Sequence, residues 1–234
     1  MDKLSVSVVI PVFNEAPALA GTLSRFEKTL RACEAVKTFE LIVVDDASTD
    51  GGIDKLPTLQ RAAVLRHETN RGYGASLKTG IRQARYPLIA ICDADGSYQI
   101  EALPDLLAAW APGTLVVASR VGMQYPRGHR IKTCMRWVFR LWLRLLAGSD
   151  IEDINSGLRV FEREKVLPLL DEMSDRFSFT TSLTLLWTFF GWPIAYVRTN
   201  YSTRVGESKV SFVVDSAKVF VQSLRLAVRH RKII

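Results

Sequence analysis

The sequence predicts an α/β protein built on a mostly parallel sheet with helices on both faces. Three observations predict it. Short β-branched runs alternate with helix-period segments through the first 120 residues. Small polar clusters follow directly on several of those runs. The chain has 234 residues, 48% of them apolar and 24% charged, which is enough to build a core without covalent staples.

The elements follow in order. Val6 to Ile10 reads as a buried strand stopped by Pro11, and Asn14, Glu15 and Pro17 signal the start of a helix running to about Ala35. Leu19, Leu23, Phe26 and Leu30 give that helix its apolar stripe. Phe39 to Val44 is a second strand, ending in Asp45-Asp46 and a turn, Ser48 to Gly52. Ala62 to Leu65 is a third strand. A helix over Gly72 to Ala84 follows the loop Asn70 to Gly74. Leu88 to Cys92 is a strand that runs into Asp93. Next come a helix from Glu101 to Trp110 and a strand from Leu115 to Ala118. The second half is less regular. Helices are expected over 129–147, near 163–170, over Phe179 to Phe190 and over 211–230, with short strands at Leu158 to Phe161 and Ile194 to Val197.

The polar clusters are Asn14 with Glu15, Asp45 with Asp46, Asp93 with Asp95, and Ser119 with Arg120. In open parallel sheets the ligand crevice lies at the carboxyl ends of the strands. The four clusters are therefore expected to converge on one site. Asp93 and Asp95 are two residues apart, so in extended chain their carboxylates share a face and reach one cation. Hard divalent ions such as Mg²⁺ or Mn²⁺ take such oxygen ligands together with substrate phosphates. Gly96 lets backbone pass close to a ligand.

Composition narrows the rest. The formal charge is +7, which suits nucleic acid, anionic lipid or phosphate-bearing substrates. No zinc-finger, RRM or KH signature is present, and nucleic acid is not an expected partner. Cys33, Cys92 and Cys134 are odd in number and far apart. That argues against a disulfide framework or zinc site and for a reducing cytosol. The start of the chain has no signal-peptide pattern. No stretch offers the roughly 20 uninterrupted apolar residues of a spanning helix. A soluble or membrane-peripheral protein is expected.

Six segments carry a resemblance across nearly the whole chain: VVIPVFNE (8–15), LIVVDDASTDG (41–51), NRGYGASLKTGI (70–81), ICDADGSY (91–98), INSGLRVF (154–161) and YSTRVGESKV (201–210). With these the sequence resembles glycosyltransferase family 2, of the Rossmann-like GT-A fold. Within it the chain resembles the dolichol-phosphate mannose synthase-like branch, which moves a sugar from a nucleotide donor to a polyprenyl phosphate. The resemblance implies that Pro11, Phe13 and Glu15 contact the nucleoside and that Asp46 holds the base or ribose edge. It implies that Asp93 and Asp95 bind a divalent cation, Mg²⁺ or Mn²⁺, and the diphosphate. It places Arg120 near the donor, and Ser156, Gly157 and Arg159 near sugar and acceptor. It makes Arg204, Ser208 and Lys209 a basic loop gripping phosphates. Asp95, Arg120, Arg204 and Lys209 are the catalytic candidates.

Two departures from the family pattern carry chemistry. Relatives often place a Gln two residues after the second Asp as a metal ligand, and here that residue is Ser97. Relatives that glycosylate hydroxyls carry an acidic base before the helix near residue 180, and here the segment is Phe179-Thr180-Thr181-Ser182. A hydroxyl needs a general base. A phosphate monoester is already anionic and needs cationic steering instead. Asp150, Glu152 and Asp153 lie nearby in sequence, with Asp153 expected to orient Arg159.

The segment 129–147 carries Lys132, Arg136, Arg140 and Arg144 at i, i+4 spacing among Trp137, Phe139, Trp142 and several aliphatics. That is the composition of an interfacial helix. Residues 211–234 repeat it, with an apolar stripe through Phe220, Val221, Leu224 and Val228 beside Arg225, Arg229, Arg231 and Lys232. The expected organisation is one GT-A domain over 1–210, split into a nucleotide-sugar half (1–120) and an acceptor half (121–210), and a basic amphipathic tail (211–234). The expected activity is metal-dependent, inverting transfer of a hexose from a GDP- or UDP-sugar to polyprenyl phosphate. It would take place on the inner, cytoplasmic face of a membrane, with the protein attached peripherally or docked on a separate membrane subunit. The alternatives are a family 2 enzyme acting on a hydroxyl of a surface glycan, and a non-catalytic nucleotide-sugar binder.

Overall fold

The computed structural model describes residues 3–56, 61–120, 141–142, 144–146, 148, 151–200 and 212–230, with side chains in the last segment from residue 219 onward. Among them, seven strands form one sheet: β1 (Leu4–Val12), β2 (Val36–Asp45), β3 (Ala62–Arg66), β4 (Leu88–Ile91), β5 (Leu115–Ser119), β6 (Arg159–Glu162) and β7 (Ile194–Arg198). Their order is β3-β2-β1-β4-β6-β5-β7. β6 is antiparallel to both its neighbours, and every other pairing is parallel. Six strands thus run one way and β6 runs against them.

The helices are α1 (Ala16–Ala32), α2 (Tyr73–Gln83), α3 (Leu103–Ala109), α4 (Arg163–Val166), α5 (Phe179–Phe189) and α6 (Phe212–His230). Both faces of the sheet are covered. Leu19, Leu23, Phe26 and Leu30 of α1 and Leu106 and Leu107 of α3 pack with Val6, Val8, Ile10 and Val12 on one face. Leu77 and Ile81 of α2, Leu183 and Trp187 of α5 and Leu226 of α6 pack with Val9 and Val44 on the other. Alternate residues of β1 therefore serve opposite cores, as a strand buried on both sides requires.

Several boundaries differ from the sequence expectation for identifiable reasons. β1 continues through Pro11 to Val12. Val9 turns its carbonyl to Cys92 on the β4 side, and Val12 turns its carbonyl to Asp46 on the β2 side. By parity the Pro11 nitrogen faces the β4 side, where pairing has already ended at Val9↔Ile91. The missing N–H is not needed there. α1 ends at Ala32 rather than Ala35. The Ala35 carbonyl accepts from Leu4 N, and Val36 N donates to Cys33, so these residues already belong to the sheet edge. Pro104 and Pro168 sit in the first turns of their segments. The expected helix over 101–110 accordingly divides into a 3₁₀ turn and α3, and that over 163–170 into α4 and a 3₁₀ turn at Leu167–Glu172.

The start of α1 is capped from a distance. Glu15 occupies the N-cap position without a side-chain cap bond. The Ala16 N–H donates instead to Asp50 Oδ2 (2.8 Å), and Gly52 N donates to Asp50 Oδ1 (3.0 Å). Asn14 adopts φ 52°, accepts from Thr49 N (2.7 Å) and donates its own N–H to Ser48 Oγ (3.0 Å). The turn after β2 thereby fixes the exit of β1.

Of the helix expected over 129–147, residues 141–142 and 144–146 are described and helical. The remainder lies outside the described residues. Trp142 donates from Nε1 to Ser223 Oγ (3.0 Å) and stacks on Phe220 at 4.2 Å. The two segments that the sequence marks as amphipathic are therefore neighbours.

The tightest helix-to-sheet approach is at Gly80 of α2, where a Cβ would lie 2.3 Å from Val9 Cγ1. Gly80→Ala is expected to cost about 1–3 kcal/mol through overpacking. Gly21, in α1 with nothing within 4 Å of a Cβ, is expected to gain about 0.5–1 kcal/mol on substitution by Ala. Urea denaturation of the two variants checks both signs.

Candidate active site

β1 lies between β2 and β4, so the chain leaves it in one direction to build β2 and β3 and returns on the other side with β4. A crevice opens at such a switch point, outside the carboxyl ends of the strands. Pro11, Val12, Phe13 and Glu15 bring the end of β1 to it, and Asp46 the end of β2. Asp93, Ala94 and Asp95 bring the end of β4. Asn70, Gly72, Tyr73 and Ser76 come from the start of α2, and Arg176 and Phe177 from the segment before α5. The structure thus brings together Pro11, Phe13, Glu15, Asp46, Asp93 and Asp95, whereas Ser119 and Arg120, the fourth polar cluster expected there, are not among the residues lining this crevice.

The two carboxylates are held differently. Asp95 is buried, and its Oδ1 accepts from Ser97 N (3.0 Å) and Ser97 Oγ (2.5 Å). Ser97 therefore supports Asp95 rather than facing the cleft as a further ligand. Asp93 is half-buried, with its carboxylate against Gly157, where a Cβ would lie 2.5 Å from Oδ2. Only glycine fits at 157. Gly157 N donates in turn to the Tyr98 hydroxyl (2.5 Å). The Tyr73 phenol lines the same cleft as Asp93. Burial first, and the Asp93 charge second, push that phenol well above its ordinary value. Burial, with Asp93 and Asp95 nearby, likewise raises the Cys92 thiol. Cys92 is a packed, protonated core residue.

Asp46 lines the cleft but is spent on its surroundings. Oδ1 accepts from Arg71 N (2.8 Å) and meets His67 Nδ1 (2.7 Å), while Oδ2 accepts from Gly72 N (2.7 Å). His67 Nε2 lies 3.0 Å from Thr79 Oγ1. The carboxylate thus shapes the loop that carries Asn70 to Tyr73.

Arg159 departs furthest from expectation. It is fully buried. Nε donates to Ser156 O (2.7 Å), Nη2 to Ile154 O (2.5 Å), and Nη1 to Thr180 O (3.2 Å) and Thr184 Oγ1 (2.6 Å). Ser156 is equally buried. These residues brace the turn that presents Gly157 to Asp93 and do not reach the cleft surface. Burial lowers the Arg159 pKa, while the charge of Asp153 works against that.

Asp153 pairs with Arg120, not with Arg159 as expected. Nε to Oδ2 is 2.8 Å and Nη2 to Oδ1 is 2.9 Å, and Arg120 N also donates to Oδ2 (3.1 Å). Burial alone would raise this carboxyl, but the Arg120 bonds and charge outweigh it and hold it below the usual aspartate value. Glu152 accepts from Ser119 Oγ (2.8 Å). Neither carboxylate is arranged as a general base, and Phe179 to Ser182 are buried at the start of α5. Arg204, Ser208 and Lys209, together with Asp150, lie outside the described residues.

Sequence reasoning missed Tyr73, Ser76, Arg176 and Phe177. The first two sit in the recognised segment 70–81 and face the cleft because Gly72 and Gly74 allow close contact. A Cβ on Gly72 would meet Asp175 O at 2.6 Å, and one on Gly74 would meet Ser174 O at 2.1 Å. No local signal marks Arg176 or Phe177. Among the described residues no group of three or more His, Cys, Asp or Glu side chains could hold a metal ion. The pair Asp93 and Asp95 supplies two carboxylates, which fits a cation whose remaining ligands come from a bound diphosphate.

The model of glycosyl transferase family 2 matches residues 7–166. An undecaprenyl-phosphate mannosyltransferase of Micrococcus luteus is 32% identical, over 97% of this chain and 96% of its own. An undecaprenyl-phosphate 4-deoxy-4-formamido-L-arabinose transferase of Proteus mirabilis is 28% identical over 89% of this chain, which spans 63% of that longer protein. Among solved structures, glucosyl-3-phosphoglycerate synthase from Mycobacterium tuberculosis, in complex with Mn²⁺, UDP-glucose and phosphoglyceric acid, superposes with a TM-score of 0.71 at 20% identity, covering 96% of this chain and 80% of that one. That likeness is one of fold. The reversed strand, the acidic pair at the switch point and the match over 7–166 lead to one conclusion: this chain belongs to glycosyl transferase family 2 and is a glycosyltransferase of the GT-A fold.

Proposed function

We propose that the protein transfers one hexose from a GDP- or UDP-sugar to a polyprenyl phosphate, with inversion, on the cytoplasmic face of a membrane. The observation that carries this reading is the acidic pair Asp93 and Asp95 at the cleft, with Glu152 and Asp153 already engaged by Ser119 and Arg120. Two relatives named for undecaprenyl-phosphate substrates support the acceptor class.

Pro11, Phe13 and Glu15 form the nucleoside end of the cleft, and Asp46 supports it through the loop it organises. Asp93 and Asp95 would hold Mg²⁺ or Mn²⁺, and the cation would supply neutralisation of the leaving group's charge. An oxygen of the acceptor phosphate forms the new bond to the anomeric carbon as the bond to the diphosphate breaks. The nucleoside diphosphate leaves with the electron pair. A single displacement inverts the centre. The acceptor oxygen arrives deprotonated, so no carboxylate is needed to take a proton. Arg176, with Arg204 and Lys209 of the basic loop, orients the two anionic groups. Arg120, fixed by Asp153, sets the β5 end of the site. Arg159, Ser156 and Gly157 brace Asp93 from behind.

The membrane reading rests on one composite face. Leu141 and Leu145 from one segment and Phe220, Val221, Leu224 and Val228 from α6 are exposed, Leu145 by 62% and Val228 by 72%. Arg144, Arg225 and Arg229 are exposed among them. Apolar side chains beside cations suit the boundary between acyl chains and lipid phosphates. No helix among the described residues is long and apolar enough to cross a membrane, and this face provides peripheral attachment, alone or with a membrane subunit.

Incubation with Mn²⁺, a panel of labelled nucleotide sugars and undecaprenyl phosphate should give product in the lipid phase. Transfer to hydroxyl acceptors only would overturn the acceptor assignment. Asp95→Ala should lower turnover by about a hundredfold or more, since a bound cation contributes several kcal/mol of charge stabilisation.

Sedimentation with anionic vesicles checks the face. At about 1 kcal/mol per basic residue, Arg144→Glu with Arg225→Glu should weaken binding by more than about tenfold. Undiminished binding would remove the electrostatic part of the reading.

A further inference from the structure

One side of the cleft is a short segment pressed onto the start of α2. Gly72 and Gly74 allow the approach, since a Cβ on either would run into the backbone of Ser174 and Asp175. Ala75 N donates to Asp175 O (3.0 Å). The buried Lys78 donates from Nζ to Met173 O and Asp175 Oδ1, both at 2.6 Å. Arg176 N donates to Ser174 Oγ (3.1 Å), and Arg176 O accepts from Phe179 N (3.1 Å). The segment 173–177 is thus fixed along its length, and so is what it presents to the cleft.

It presents a cation beside an apolar ring. Arg176 and Phe177 both line the cleft and both are exposed, Phe177 by 45%. Phe177 stacks on Tyr73 with centroids 5.2 Å apart and planes 22° apart, and the rest of its ring is open. Asp175, the carboxylate next to Arg176, is engaged by Lys78 instead. A held ring beside a guanidinium fork suits a ligand with an anionic head and an apolar first segment. The two sides of the cleft also belong to different faces of the sheet. Glu15 leads into α1, which packs on one face. Met173 and Tyr73 belong to the core of the other, together with Trp142, Leu146, Leu226 and Ala227. Leu141, Leu145, Val221 and Val228, the exposed apolar side chains of the composite face, hang from those same elements.

We propose that Arg176 and Phe177 form the acceptor rim of the cleft. Arg176 takes the phosphate of a polyprenyl phosphate, and Phe177 takes its first isoprenyl unit. Phe177 is then the residue that selects a prenyl chain over a shorter alkyl group. The acceptor enters from the face that carries α5 and α6, and the nucleoside lies across the cleft on the α1 side. The proposal rests on the reading of the acceptor as a polyprenyl phosphate.

The test measures sugar transfer by the full chain to two soluble acceptors, farnesyl phosphate and n-butyl phosphate. Both are used as monomers, so attachment to a membrane does not enter. For n-butyl phosphate the constant is KM, or Ki against farnesyl phosphate where turnover is slow. Wild type should favour farnesyl phosphate by about tenfold or more, the size of one further buried apolar contact. Phe177→Ser should raise the farnesyl phosphate KM by about five- to tenfold and leave kcat and the n-butyl phosphate constant within about twofold. Phe177→Leu should recover most of the loss, and Arg176→Gln should weaken both acceptors by a similar factor. UDP or GDP affinity in EDTA should be unchanged in Phe177→Ser. An unchanged ratio of the two acceptor constants in Phe177→Ser overturns the rim and leaves the acceptor class standing. Loss of nucleotide affinity in that variant assigns the ring to the donor and overturns the rim equally. Wild type that transfers to neither phosphate overturns the acceptor class, and the rim with it. Should Phe177→Ser fail to fold, a farnesyl phosphate with a diazirine on its first isoprenyl unit decides on the wild-type chain. Photolabelling should fall on residues 173–177, and labelling confined to other segments overturns the proposal.

Discussion

The early end of β4 is the constraint from which the site follows. β1 runs to Val12 along β2, whereas β4 stays paired with β1 only as far as Ile91. Beyond that point the β4 chain leaves the sheet as Asp93-Ala94-Asp95, and one flank of β1 is left open. Pro11 is tolerated because that flank needs no donor. Had β4 stayed paired through Asp95, both acidic residues would have been strand residues on one face, with no gap for a ligand. The buried Ala94 keeps the short stretch anchored between them. Everything else at the site is an answer to the charge thus placed at an opening: Gly157 approaches Asp93, Ser97 turns back on Asp95, and Tyr73 closes the third side.

The reversed strand β6 serves the same end. It runs antiparallel to β4 from Arg159 to Glu162, so its amino end lies beside the carboxyl end of β4. The turn Ile154 to Leu158 is thereby delivered to the acidic pair. A parallel strand in that position would deliver its far end instead. The buried guanidinium of Arg159 is what makes this turn rigid, because three backbone carbonyls point inward at 154, 156 and 180 and need donors. An arginine offers five donors in a fixed fork, and no apolar residue could satisfy those groups. Its burial is therefore structural in origin, although its consequence is felt at Asp93.

Much of this was legible in the sequence, for physical reasons that can be named. Runs such as Val6 to Ile10 and Phe39 to Val44 have one reading, because β-branched side chains at that length pack on both faces of a sheet. The polar residues after them had to meet at one edge once the sheet was parallel. The direction of β6 was not legible, since periodicity records which residues are buried and not which way the chain runs. Nor was the cap on α1 by Asp50, which sits beyond a complete strand, nor the pairing of Arg120 with Asp153 across 33 residues. Arg159 illustrates the general case. A motif can mark a residue as belonging to a site while leaving open whether it touches a ligand or holds up the wall, and only burial decides.

The wall that carries Arg176 and Phe177 also connects the cleft to the composite basic and apolar face. Glu172 accepts from His230 Nε2 (2.6 Å), its backbone carbonyl accepts from Gln222 Nε2 (2.7 Å), and Arg229 lies 3.3 Å from its carboxylate. Glu172 is thus where α6 is fastened to the domain. Four residues later the chain reaches Arg176 and Phe177, after Met173 and Asp175 have been gripped by Lys78 of α2. This short, multiply bonded segment ends at Phe177, whose ring stacks on Tyr73 at the cleft. The six residues from Glu172 to Phe177 thus tie α6 to the cleft wall.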